Sequence, residues 1–60
     1  MTASDSQKYQ DVADRIVAEL LVDPALMALT TITLTEDILQ RYEIPHLFAY
    51  RAVATARLYA

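Results

Sequence analysis

The sequence predicts an all-α fold, a small domain of three to four helices ending in a helix-turn-helix over Thr35–Ala60. Three observations carry this. Tyr9, Val12, Ala13, Ile16, Val17 and Leu20 recur at the spacing that lays one apolar stripe along a helix. Thr35 followed by Glu36 and Asp37 reads as a helix start, a hydroxyl cap with carboxylates at the positive end of the helix dipole. Pro45 biases Ile44 out of helical backbone and leaves only a short turn between two helical stretches.

Size and composition narrow the possibilities further. At 60 residues the chain sits near the lower limit for an independent core, and it has no cysteine to staple one. No clustered ligands suggest a metal, and no cofactor is expected. With 55% hydrophobic residues it is too apolar for disorder and too small to bury every apolar side chain, so a homodimer is the first expectation.

The net charge of −3 opposes simple neutralisation of a phosphate backbone. The acids Asp5, Asp11, Asp14, Glu19 and Asp23 precede Thr35, however, and from Ile44 onward the only formal charges are Arg51 and Arg57, with His46 close by. The polar start MTASDSQKYQ does not read as a signal peptide and no apolar run is long enough for a membrane span, so a soluble cytoplasmic protein is expected, with no membrane partner.

Residues 1–5 read as a disordered tail, followed by a single domain over 6–60. Ser6 is the expected N-cap of a first helix running to about Val22, with Asp11, Arg15 and Glu19 on its polar side at ion-pair spacing. Asp23-Pro24 ends that helix and opens a short turn through Ala25, Leu26, Met27 and Ala28. Thr31-Ile32-Thr33-Leu34-Thr35 alternates polar and apolar with β-branched residues, so one short strand is allowed for at residues 31–34. The next helix is expected to start at Thr35, with Leu34 and Leu39 as a hydrophobic staple, and to end near Tyr42; the last runs from His46 to about Tyr59.

Ile38, Tyr42, Ile44, Ala49 and Ala52 are spaced to fill the angle between these two helices. Here the chain resembles the DNA-binding domain of the GntR-type (gluconate-repressor) winged helix-turn-helix family. Tyr9-Gln10-Asp11-Val12-Ala13-Asp14 is similar to the family's first helix, Leu34-Thr35-Glu36 to its LPSE segment, and Ile38-Leu39-Gln40-Arg41-Tyr42 to its LAERY segment. The resemblance covers roughly Tyr9 to Val53 and implies double-stranded DNA as a partner. Leu39 stands where the family carries alanine, no β-wing is expected, and Glu43 stands at the usual turn glycine, where a left-handed residue with a side chain costs roughly 1–2 kcal/mol.

On a helical wheel His46, Tyr50 and Arg57 share one edge of the last helix and Arg51 lies on a neighbouring one; these four are the candidate DNA contacts. The same helix carries a second stripe, Leu47, Arg51, Ala54 and Leu58, at the spacing of a helix-to-helix seam. Leu47 and Leu58 are the candidate protein-interaction residues, unless Leu26, Met27 and Leu29 cover that side.

Two readings therefore stand. One is a DNA-binding regulator that acts as a dimer with its last helix in the major groove. The other is a non-catalytic interaction or oligomerisation module that docks a regulatory protein. A ribbon-helix-helix dimer joined through Thr31–Thr35 ranks below both, because Pro45 leaves its first helix about two turns long. With one histidine and neither cysteine nor glycine, the chain offers no usual nucleophile pair or phosphate loop, so no enzyme and no small-molecule substrate are expected.

Overall fold

Residues 3–60 are described by a computed structural model, in which four helices follow one another: α1 (Ala3–Leu21), α2 (Pro24–Met27), α3 (Thr31–Arg41) and α4 (His46–Tyr59). The all-α expectation holds, and no strand occurs among the described residues. The long helix α1 and the pair α3–α4 enclose the core, with α4 packed against both α1 and α3.

The expected stripe of α1 is its buried face. Ala13, Ile16 and Leu20 are fully enclosed, and Tyr9, Val12 and Val17 pack partly buried beside them. The helix starts earlier than expected, at Ala3, so Ser6 lies inside it and does not cap it. Of the tail expected over residues 1–5, residues 3–5 are helical and Met1 and Thr2 lie outside the described residues. The polar side also pairs differently. Gln7 and Gln10 donate to Asp11 and Asp14, each at 2.9 Å, and among the described residues neither Asp11 nor Glu19 forms an ion pair with Arg15.

Pro24 ends α1 because it has no amide to continue the ladder, and Asp23 starts the next turn by accepting from the amide of Leu26 at 3.3 Å. After this single turn the chain does not extend. Residues 31–34 are helical, which corrects the strand expected there and removes the pairing edge that a ribbon-helix-helix would need. The true cap of α3 is Thr30, in extended backbone, whose hydroxyl accepts from the amide of Thr33 at 3.2 Å. Thr35 is therefore not a cap but a buried residue inside the helix, donating its hydroxyl to the carbonyl of Thr31 at 2.7 Å. The Leu34–Leu39 staple expected at a start on Thr35 falls with it.

Exposure shows why helix wins. A strand would put Ile32 and Leu34 on one face, yet Leu34 is fully buried and Ile32 is 74% exposed. Burying Leu34 is worth roughly 1.5–3 kcal/mol, more than the few tenths per residue by which β-branched side chains disfavour a helix. The helix-turn-helix thus begins at Thr31 rather than Thr35.

The turn between α3 and α4 is built from extended residues. Tyr42 has φ −126° and ψ 140°, and Pro45 has φ −61° and ψ 148°. No described residue has positive φ, so Glu43 carries no left-handed strain, and this turn does not need the glycine of the resembled family. Beyond it, Phe48, Ala49, Ala52, Val53 and Ala56 form the buried face of α4. Three alanines on that face let the helix lie close to its neighbours, while the Phe48 ring packs tilted against Tyr9 with centroids 5.5 Å apart.

Candidate functional site

The inner face of α4 is consumed by the core, and its outer face holds most of the residues singled out by sequence. His46, Leu47, Tyr50, Arg51, Ala54 and Leu58 are all exposed. Leu47 is 55% and Leu58 85% accessible, so Leu26, Met27 and Leu29 do not cover them. Leu26 and Met27 instead pack against the core from α2.

The start of α4 differs from that of α3. Pro45 occupies the cap position and offers no side-chain acceptor; its carbonyl receives the amides of Phe48 at 3.0 Å and Ala49 at 3.3 Å, while the amides of His46 and Leu47 have no capping side chain. Three exposed side chains of different chemistry, His46, Tyr50 and Arg51, lie within the first two turns beside this bare end.

Arg51 sits on the α1 edge of the face. A surface groove of about 300 Å³ runs between α1 and α4 there, lined by Gln10, Asp14 and Val17 on one side and Tyr50, Arg51 and Thr55 on the other. Asp14 accepts from Gln10, and among the described residues Arg51 is in no ion pair. Its charge is therefore available next to a carboxylate.

Arg57 was grouped with His46 and Tyr50 by the helical wheel, and the structure separates it from them. Its guanidinium turns to the α2–α3 connection, donating through Nη2 to the Leu29 carbonyl at 2.6 Å, Nη1 to the Met27 carbonyl at 3.4 Å and Nε to the Thr31 hydroxyl at 3.1 Å. Met27 is the last residue of α2, where a one-turn helix leaves its carbonyl open, and Leu29 belongs to the connection that follows. Arg57 thus clamps α4 onto α2 and α3. The sequence shows a short helix without a glycine stop, and hence a need for donors, but nothing local to Arg57 says that it meets that need.

A second link missed by sequence joins α1 to the end of α3. The Tyr42 hydroxyl donates to a Glu19 carboxylate oxygen at 2.6 Å. That hydrogen bond, together with partial burial and the nearby negative charge, raises the Tyr42 phenol above its ordinary value of 10.0.

No protein-family model, curated protein or solved structure matches the chain. The likeness to GntR-type domains therefore rests on the quoted segments alone. Among the described residues no group of three or more His, Asp or Glu is placed to hold a metal, and no helix is long and apolar enough to cross a membrane.

Proposed function

We propose that this chain is a helix-turn-helix DNA-binding regulatory protein that offers the outer N-terminal half of α4 to the major groove. The observation that carries this reading is the uncapped start of α4 beside exposed His46, Tyr50 and Arg51. Free amides at a helix start suit phosphate oxygens, Arg51 suits a phosphate or a guanine edge, and His46 and Tyr50 suit backbone contacts. Packing of α3 behind α4 gives the presenting helix a rigid support. Arg57 leaves the contact set, because its donors serve the α2–α3 connection.

A second reading is favoured by the apolar share of the same face. Leu47, Tyr50 and Leu58 are exposed together with a single uncommitted arginine, which suits a protein partner better than a polyanion.

Fluorescence anisotropy with random duplex DNA at low and high salt separates the two. The DNA reading expects salt-sensitive binding that Arg51→Ala weakens by about tenfold. Arg57→Ala should instead lower stability by about 1–2 kcal/mol and leave the affinity of the folded protein nearly unchanged. Absence of binding at low salt would leave the protein-partner reading standing alone.

A further inference from the structure

We propose that the outer face of α4 is a self-complementary seam on which a second copy of this chain lies antiparallel, covering the surface offered to DNA. The seam residues Leu47, Arg51, Ala54 and Leu58 are spaced four, three and four apart, the alternation with which paired helices meet. Their numbers are symmetric about a point midway between Ala52 and Val53. An antiparallel pair centred there sets Leu47 of each copy against Leu58 of the other, and Arg51 against Ala54. Large thus meets large at both ends, and at the centre the small Ala54 leaves room for the arginine stem.

Charge makes the second copy the fitting occupant. A two-fold axis perpendicular to the paired helices keeps both α1 helices on the same side of the pair. Arg51 lies on that side, at the groove that Asp14 borders from α1. On that side each copy brings Arg51 at the edge of the seam and Asp14 on the groove wall. The pairing therefore sets one cation and one carboxylate from each copy on the same side of the paired helices, in reach of two identical contacts. Within one copy the pair is not formed.

The seam does not depend on the DNA reading, but one consequence does. Leu47, Arg51 and the neighbouring Tyr50 cannot lie against a second α4 and a groove at once, so pairing and DNA binding exclude each other.

Cysteine cross-linking tests the register, since the natural chain has no cysteine. Leu47→Cys and Leu58→Cys chains, both altered at exposed positions and checked for helical content by circular dichroism, are mixed and oxidised. The mixed disulfide should exceed either homodimer well beyond the statistical proportion. A statistical mixture, or an excess of the Leu47→Cys homodimer, would overturn the antiparallel seam. In sedimentation equilibrium, Arg51→Asp should weaken self-association by about threefold and the added Asp14→Arg should restore it; an unchanged constant in both removes the charge pairing. Duplex DNA at low salt should suppress the mixed cross-link. Cross-linking as expected with no DNA binding keeps the seam and ends the DNA reading, whereas DNA binding with undiminished cross-linking overturns the exclusion.

Discussion

The starts of α3 and α4 are capped differently. At α3 the Thr30 hydroxyl accepts from the Thr33 amide, also donates to the Thr33 hydroxyl at 2.9 Å, and the following Leu34 and Thr35 are buried. At α4 Pro45 leaves the first amides without a side-chain partner, and His46 and Leu47 stand in solvent. Both starts are exposed or half-buried in their first residues and buried immediately after, at Leu34 and Thr35 in α3 and at Phe48 and Ala49 in α4. The difference between them lies in the cap, which Thr30 supplies and Pro45 does not. An incompletely satisfied local structure in an otherwise consistent fold is where a binding role is expected.

The largest effect should separate the hydrophobic residues of the two starts. Leu34→Ala empties a fully enclosed site and should cost about 3 kcal/mol, comparable to the whole stability of a domain this small. Leu47→Ala, at a side chain 55% accessible, should leave the unfolding midpoint of the single copy nearly unchanged. Urea denaturation followed by circular dichroism at low protein concentration measures both. Equal losses would mean that the outer face of α4 is part of the fold rather than a surface.

The caps give a smaller and more specific contrast. Thr30→Ala should cost about 1 kcal/mol by leaving the Thr33 amide unsatisfied. Pro45→Ser adds an acceptor at the bare end while losing the restriction that proline places on the unfolded chain, two effects of about 1 kcal/mol or less and of opposite sign. Its stability should stay close to that of the natural protein while DNA affinity falls, because the serine competes for the amides that a phosphate would use. An anisotropy titration that shows undiminished affinity for Pro45→Ser would remove the helix start from the proposed contact surface.

The same contrast explains which parts of the fold could be read from sequence. The stripe of α1, the Asp23-Pro24 boundary and the span of α4 follow from periodicity and proline, which act within a few residues. The start of α3 does not. Thr30, Thr31, Thr33 and Thr35 are all competent caps, and their alternation with Ile32 and Leu34 imitates a strand. Only the closed environment around Leu34 selects helix and with it the cap at Thr30. Arg57 and Tyr42 were opaque for a related reason, since their partners lie 26 to 30 and 23 residues away and no local pattern marks them. Leu47, Tyr50, Arg51 and Leu58 could be placed outward because the alanines opposite them define the inner face of α4.

The smallest effect concerns the end of α3, where Tyr42 reaches α1. Because the hydrogen bond to Glu19 raises the phenol above its unfolded value of 10.0, the bond's contribution is fully present below pH 10 and is lost as pH rises through the folded value. Tyr42→Phe should remove about 0.5 kcal/mol at neutral pH, since the carboxylate is exposed and its interactions are screened. The difference between the natural protein and Tyr42→Phe should then shrink above pH 10, measured as urea midpoints across the alkaline range. No difference at neutral pH would assign the role of Tyr42 to its ring, which phenylalanine retains, rather than to its link with α1, and the bracing of α3 behind α4 would then rest on hydrophobic contact and the Arg57 clamp alone.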